Sequence, residues 1–312
     1  MTDSPNRRLY AAACSFEETS SSIRLAIGIA TRGRASILAE TIADLQLQSR
    51  QPDRVLVAYT DQADIGDAPN RFPHVGFIRS EPGLTRQRNT ILDALVDEDI
   101  VTFLDDDFFL SKNYLAIMEQ IFILRPDVVV ATGKLLADGI NGPGLTASEA
   151  RAIIATPITL QTKRTLSSTF NAYGCNMSLR MRSIRAHNLR FDENLPLYGW
   201  YEDVDFSRQL ARHGQVVRVG NAFGVHLGTK SGRQSGIRLG YSQVANPLYL
   251  ARKRTVPWRF AVASMMSRSL KNLVKSTNPE PFIDRRGRLQ GNLRAWRELI
   301  SGTISPTRVL QL

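Results

Sequence analysis

The sequence predicts an α/β protein in which a mixed, mostly parallel sheet is flanked by helices, with further basic helices at the C-terminal end. Short runs rich in Ile and Val, typical of buried strands, alternate with segments whose apolar residues recur at helical spacing. Polar residues directly follow several of these runs, where parallel sheets bind their ligands. A chain of 312 residues that is 43% hydrophobic is also large enough to bury a substantial core.

Five apolar runs in the N-terminal half predict strands, and two segments between them predict helices. The predicted strands cover 23–30, 53–59, 74–80, 99–105 and 126–136, and the predicted helices cover 35–50 and 83–97. Alternation at this spacing indicates βαβ units, whose parallel strands carry helices on both faces of the sheet. The carboxyl ends of these strands are therefore the expected place for a ligand.

The C-terminal half continues with one further strand and several helices. The predicted elements are a strand over 170–181, a loop entering a helix over 194–214, and helices within 241–276 and 289–301. We expect three parts along the chain: a loose leader over 1–22, a main domain over 23–236 and a basic helical extension over 237–312.

Charge is distributed unevenly between the two halves of the chain. Residues 1–150 hold 14 Lys/Arg against 21 Asp/Glu, whereas residues 151–312 hold 26 against 8. A basic half of this kind indicates an anionic partner, which charge alone leaves open between phosphates, nucleic acid and a membrane surface. There is no apolar run of about 18 residues, no signal-peptide pattern and no disulfide framework, since the chain has only Cys14 and Cys175. We therefore expect a cytosolic protein.

Three consecutive carboxylates, Asp105, Asp106 and Asp107, directly follow the apolar run of the fourth predicted strand. They could form a solvated polar turn. At the carboxyl end of a buried strand they could instead hold a hard cation, because carboxylate oxygens suit Mg²⁺ or Mn²⁺ and a diphosphate can fill the remaining positions.

A second acidic group, Glu202 and Asp203, lies at the start of a predicted helix behind the aromatic residues Trp200 and Tyr201. Acidic residues there complement the helix dipole, which is one explanation. The other is a general base, because a carboxylate beside aromatic walls is partly desolvated and its pKa rises.

A lone histidine, His226, precedes the glycine-rich stretch GTKSGRQSG over 228–236. Such a histidine is often a structural residue. The loop behind it carries Lys230 and Arg233, and its amides and cations could fold over a diphosphate.

Taken together, these segments resemble the inverting glycosyltransferases of family 2, which have the GT-A fold. The matching segments are IGIATRGR, GLTRQRNTIL, FLDDD, GCNMSLR, FDENLPLYGWYEDVDFSRQLARHG and the His226 loop. They span about residues 23–236 in the order found in the family. The resemblance implies a nucleoside diphosphate sugar donor and a bound Mn²⁺ or Mg²⁺.

The resemblance also implies roles for individual residues. Asp105 and Asp107 would hold the metal, completed by His226, while Asp106 would lie nearer the ribose. Asp203 would be the base, with Glu202 as the next candidate. The residues implied to bind the donor are Thr31, Arg32, Arg34, Asp61, Arg88, Asn89, Asp106, Lys230 and Arg233, and those implied to bind the acceptor are Trp200 and Tyr201. The acidic pair usual after the second strand is replaced here by AYTDQAD, which contains Asp61.

The resulting prediction is transfer of a sugar, from a donor expected to be UDP-linked, to a hydroxyl of a saccharide, with inversion. The resemblance implies a lipid-linked acceptor in cell-surface polysaccharide synthesis. A metal-dependent nucleotidyltransferase or a nucleotide-sugar hydrolase remains an alternative, because the same site serves those reactions. A dinucleotide-binding protein is disfavoured because G-x-G-x-x-G is missing after the first strand. A nucleic-acid partner is not expected, because it would not explain the acidic first half.

The segment 258–275 predicts an amphipathic helix with apolar residues on one face and cations largely away from it. The apolar face comprises Trp258, Val262, Met265, Met266, Leu270 and Leu273. This face could pack on the main domain. It could also lie in the interface of an anionic membrane, which would place the enzyme peripherally at the inner face of the cytoplasmic membrane.

Overall fold

A computed structural model of the chain describes residues 23–156, 165–231 and 235–312; the predicted leader lies outside these residues. Within them, nine strands form one mixed sheet. The strands are β1 (Leu25–Ala30), β2 (Arg54–Tyr59), β3 (Gly76–Arg79), β4 (Ile100–Asp105), β5 (Phe108–Leu110), β6 (Val128–Asp138), β7 (Leu166–Ser168), β8 (Asn176–Arg180) and β9 (Gln215–His226).

The strands lie in the order β3-β2-β1-β4-β8-β6-β9-β5, and β7 also pairs with β9. The first four are parallel to one another, and β6 is parallel to β9. β8 is antiparallel to both of its neighbours, and β5 and β7 are antiparallel to β9. The predicted mixed sheet flanked by helices is confirmed, with as many antiparallel as parallel pairings in its described part.

Helices cover both faces of the sheet and form two apolar layers. The helices are α1 (Ala35–Leu45), α2 (Ala68–Arg71), α3 (Leu84–Ala94), α4 (Tyr114–Leu124), α5 (Ala147–Ala155), α6 (Met181–Ala186), α7 (Glu202–Leu210), α8 (Gly236–Arg252), α9 (Trp258–Lys275) and α10 (Arg285–Ile300). One layer includes Leu38 of α1 and Leu115 of α4, and the opposite layer includes Ile91 of α3 and Phe206 of α7. Short 3₁₀ helices follow β2 and β6.

The C-terminal helices α8, α9 and α10 pack on one another around buried residues such as Tyr241 and Met265. The helical segment predicted over 241–276 is divided, because α8 ends at Arg252 and α9 begins after Pro257, which lacks an amide hydrogen. α8 also contacts the rest of the chain, since Asn246 donates to the Trp200 carbonyl over 2.8 Å.

Helix α9 buries a face different from the one its apolar residues predict. Its buried residues are Ala261, Ser264, Met265 and Asn272. Five residues of the predicted apolar face, Trp258, Val262, Met266, Leu270 and Leu273, are 49–60% exposed. These five residues therefore do not pack on the main domain, and Met265, which is buried, packs with residues of α8 and α10. None of the described helices combines the length and apolarity that crossing a membrane requires.

Candidate active site

The three aspartates lie at the carboxyl end of β4, which we call the edge of the sheet. In the turn from β4 into β5 their side chains point to different neighbours. Asp106 is buried and points inward: its oxygens accept hydrogen bonds from Thr31 Oγ1 (2.7 Å) and Arg34 Nη1 (2.9 Å). Burial raises the pKa of Asp106 to about 6 despite the opposing charge of Arg34. In this structure Asp106 therefore ties the loop after β1 to the turn, and its predicted contact with the ribose stays a prediction.

The other two aspartates meet His226. One oxygen from each of Asp105 and Asp107 and one nitrogen of His226 all lie within 4.8 Å of one another. His226 Nε2 lies 3.3 Å from Asp107 Oδ1 and 3.7 Å from Asp105 Oδ2. The sheet brings them together, because His226 ends β9 and pairs with Phe108 of β5, the residue next to Asp107.

The electrostatics of this cluster match those of a site for a cation. Asp107 Oδ1 is buried and accepts no hydrogen bond from the described residues. Burial alone would lower the pKa of His226, but the carboxylates of Asp107 and Asp138 raise it to about 10. Metal binding displaces protons from its ligands, so a divalent ion could take the place of the proton that these carboxylates hold on the imidazole. Two carboxylate oxygens and one imidazole nitrogen fit Mn²⁺ or Mg²⁺.

The loop after His226 lies against the aspartate turn. Thr229 N donates to Asp107 Oδ2 over 2.8 Å, and Arg34 donates to the carbonyls of Thr229 and Ser231. Lys230 Nζ donates to the carbonyls of Gly139 and Ile140. Of the two cations predicted in this loop, Lys230 is therefore held at the turn that follows Asp138. Arg233 lies outside the described residues.

The second acidic group stands at the first turn of α7. Glu202 is buried and accepts a hydrogen bond from Arg88 Nη1 over 2.6 Å. Burial raises the pKa of Glu202, although the charge of Arg88 opposes this. Arg88 is itself buried, donates to the Gly174 carbonyl and lies 3.6 Å from Asp105 Oδ1. The guanidinium of Arg88 therefore links the acidic pair to the aspartate cluster.

Asp203 differs from its neighbour in exposure and partners. It is half-buried, and its oxygens accept hydrogen bonds only from backbone amides, those of Gly174 (3.0 Å) and Val204 (2.8 Å), among the described groups. Burial raises the pKa of Asp203 above its usual range. Asp203 is the more accessible carboxylate and is free of a cationic partner at hydrogen-bond distance in the described chain, so its oxygens suit proton abstraction better than those of Glu202.

The aromatic residues before α7 lie against α9. The Tyr201 hydroxyl is 2.8 Å from Ser264 Oγ, and its backbone is left-handed with φ of 71°. The Trp200 ring lies 5.1 Å from that of Tyr201 and has the guanidinium of Arg268 over it at 5.5 Å. These contacts place the predicted acceptor residues beside the C-terminal extension.

The remaining predicted donor residues line the loops after β1 and β2 or lie in α3. Arg32 and Asp61 are exposed, and Asp61 caps the short helix that follows it. Asn89 is buried and donates to Glu193 Oε1 over 2.8 Å and to the Phe191 carbonyl. Their contacts with a nucleotide stay predictions.

Two polar residues that were not among the predicted site residues organise this region. Asp64 is buried and accepts hydrogen bonds from Gly33 N and from Thr60, which joins the loops after β1 and β2. Asp138, at the end of β6, lies 2.9 Å from His226 Nδ1. The acidic stretch after β2 was the available signal for Asp64. No local signal marks Asp138, because only the pairing of β6 with β9 brings it to the histidine.

The sheet order, the aspartate turn at its edge and the flanking helices define the class of fold, which is the GT-A type found in glycosyltransferases. Among solved structures, the chain is similar to residues 1–349 of S. aureus TarS, at 14% identity and a TM-score of 0.51, over 90% of this chain and 92% of that one.

It is also similar to GalNAc-T7, solved with UDP, GalNAc and Mn²⁺, at 12% identity and a TM-score of 0.55, over 93% of this chain and 56% of that one. A third similar structure is the mannosyltransferase PcManGT from Pyrobaculum calidifontis with GDP-Man and Mn²⁺, at 14% identity and a TM-score of 0.53, over 92% and 78%. No family model and no curated protein matches the chain. These likenesses confirm the predicted fold.

Proposed function

We propose that this protein is a metal-dependent inverting glycosyltransferase that uses a nucleoside diphosphate sugar. One observation carries the proposal: the buried guanidinium of Arg88 lies 2.6 Å from Glu202 Oε1 and 3.6 Å from Asp105 Oδ1. A candidate base motif and a candidate metal cluster therefore share one edge of the sheet. Inverting transfer needs this juxtaposition, because the acceptor must reach the sugar opposite the leaving diphosphate.

The proposed reaction is a single displacement. Asp203 accepts the proton of the acceptor hydroxyl while the hydroxyl oxygen forms a bond to the anomeric carbon. The bond from that carbon to the diphosphate oxygen breaks in the same step. Asp105, Asp107 and His226 would hold the divalent ion, which when bound would offset charge on the leaving diphosphate. Lys230 and Arg34 add positive charge on the same side of the site.

For the donor we propose a UDP-linked sugar, in keeping with UDP in the GalNAc-T7 structure, while the GDP-Man of the mannosyltransferase makes a guanosine donor the alternative outcome. The test measures release of UDP or GDP from a panel of nucleotide sugars with Mn²⁺, with and without saccharide acceptors. Acceptor-dependent release supports the transferase. Release that needs water alone would indicate a hydrolase, and pyrophosphate release from a nucleoside triphosphate would indicate a nucleotidyltransferase.

For the acceptor we propose a lipid-linked saccharide in cell-surface polysaccharide synthesis, reached from the inner face of the cytoplasmic membrane. α9 supports this placement, because one face contacts Trp200 and Tyr201 while its apolar stripe, formed by Trp258, Val262, Met266, Leu270 and Leu273, is exposed. Exposed Arg259, Lys271 and Lys275 lie on the same helix. Cations beside an exposed apolar stripe match an anionic lipid surface.

Flotation with vesicles tests this placement. The full chain should float with vesicles that contain anionic phospholipid and not with neutral ones, and Met266→Gln with Leu270→Gln should abolish flotation. Leu124→Gln is the matched control, because Leu124 of α4 is as exposed as Leu270, at 60%, but lies outside the stripe. Equal flotation of the stripe variant would contradict the membrane proposal. A shift from dimer to monomer in that variant would assign the stripe to a second copy instead.

A further inference from the structure

Three side chains outside the aspartate turn form a continuous hydrogen-bonded chain that ends at the candidate metal cluster. The Tyr173 hydroxyl donates to Asp138 Oδ2 over 3.0 Å. Asp138 Oδ1 lies 2.9 Å from His226 Nδ1, and the other ring nitrogen of His226 faces Asp105 and Asp107. The two imidazole nitrogens therefore face carboxylates on opposite sides of the ring.

The backbone fixes this arrangement from several elements at once. Asp138 and His226 are register partners in the parallel pairing of β6 with β9. Asp138 Oδ1 also accepts the Ile140 amide over 3.1 Å, so the carboxylate caps the short helix Gly139–Asn141. At Gly139 a Cβ would lie 2.0 Å from the Leu227 carbonyl oxygen, so this turn packs directly on the residue after the histidine.

We propose that Asp138 is a positioning residue for the metal site and that Tyr173 supports it. With a metal ion bound in place of the second imidazole proton, the Asp138 carboxylate would accept Nδ1–H of His226, and the lone pair of Nε2 would point into the space between Asp105 and Asp107. Histidines that bind metals donate their other ring N–H in this way, and the partner fixes both the tautomer and the ring orientation. This inference rests on the proposed metal-dependent function and assigns it two residues that the sequence did not indicate.

Asp138 also caps a short helix, so it could matter only for the local structure and not for the metal site. Asp138→Ser separates the two roles. Serine is a good N-cap and keeps an acceptor for the Ile140 amide, but its side chain is too short to reach His226. Asp138→Asn keeps an oxygen acceptor of the right length for both partners and is the conservative rescue. Tyr173→Phe removes only the outermost hydrogen bond.

The experiment titrates full-length protein with Mn²⁺, with and without UDP, and follows free Mn²⁺ by electron paramagnetic resonance. Electron spin echo envelope modulation of bound Mn²⁺ then shows whether an imidazole nitrogen is coordinated. We expect about 10–100-fold weaker Mn²⁺ binding for Asp138→Ser with loss of the nitrogen modulation. Asp138→Asn should keep the modulation, Tyr173→Phe should weaken binding less than Asp138→Ser, and His226→Ala should lack the modulation. Circular dichroism should show all four folded.

Wild-type Mn²⁺ affinity and an unchanged nitrogen signal in Asp138→Ser would overturn the inference. Bound Mn²⁺ without nitrogen modulation in the wild type would also overturn it, because His226 would not be a ligand. Either result leaves the transferase proposal standing if nucleotide release from the donor panel still depends on an acceptor. Failure of that release is a separate result that concerns the proposed function alone.

Discussion

The sheet edge and the C-terminal helices of this protein use charge in opposite ways. At the sheet edge, charged groups form pairs with little exposure to solvent. Asp106 pairs with Arg34, and Glu202 pairs with Arg88. On α9, three of the four cations and most large apolar side chains are exposed, while Arg268 lies over the Trp200 ring. Groups buried in pairs hold one geometry, whereas exposed groups are available to a partner. We propose that the sheet edge holds the catalytic groups and that the extension binds a partner, and four predictions test that contrast.

The largest effect is expected at Asp203. Loss of a positioned general base costs about 10²–10⁴ in rate, so Asp203→Asn should retain donor binding and lose turnover by that factor. Burial raises the pKa of Asp203, and a base is lost as pH falls through its pKa. The acidic limb of kcat/KM should therefore lie above pH of about 4, the ordinary aspartate range. A wild-type rate in Asp203→Asn would transfer the role to Glu202.

Arg88 tests how much the buried pairing contributes to stability. Arg88→Met leaves Glu202 and Asp105 without their cation, and breaking a buried ion pair costs about 3–5 kcal/mol. Urea unfolding measures this loss. Arg86→Met on the same helix is the control, because its ion pair with Glu193 is exposed and should contribute about 0–1 kcal/mol. Equal stability of the two variants would contradict the contrast between buried and exposed charge.

Lys253 is a smaller test, at the contact between the two regions. Its ammonium lies 2.7 Å from both Asp192 Oδ2 and Asp205 Oδ2, which joins the end of α8 to α7. Lys253→Met should lower the free energy of unfolding by about 1–3 kcal/mol, because it removes the cation from the buried carboxylate of Asp205 and leaves Gln209 Nε2 as its donor. Unchanged urea unfolding would show that this contact does not secure the extension.

The smallest effect on stability is expected on the stripe of α9. Met266→Gln with Leu270→Gln should change the free energy of unfolding by less than about 0.5 kcal/mol per residue, because both side chains are exposed. A loss of several kcal/mol would show that the stripe is needed for folding. Thermal unfolding of the free protein provides the measurement.

Much of the site was predictable because its residues sit at strand ends. Asp105 follows an apolar run that reads as a buried strand, and the topology then fixes where its side chain lies. Asp203 and His226 were predicted because they lie in segments that resemble the glycosyltransferase family. Asp138 could not be found in this way, since its partner His226 is 88 residues away and only the pairing of β6 with β9 joins them.

The extension was less predictable, because helical periodicity identifies a face without saying what covers it. The sequence predicted the apolar face of α9, but the side that is buried in the structure carries Ala261, Ser264 and Asn272. Asn272 reaches that position through hydrogen bonds to Gln243 and Asn292, which belong to α8 and α10. Such polar contacts between helices depend on tertiary packing and leave no local trace in the sequence.

The place of β8 bears on how the protein matures during synthesis. β8 joins the two halves of the described sheet, since it pairs with β4 on one side and β6 on the other. As the chain leaves the ribosome, β1 to β4 can pair early, but the halves cannot unite until Asn176–Arg180 has emerged. Asp105 and Asp107 belong to the early half and His226 to the late one. Manganese capture at the proposed site would therefore distinguish a finished molecule from one still being made.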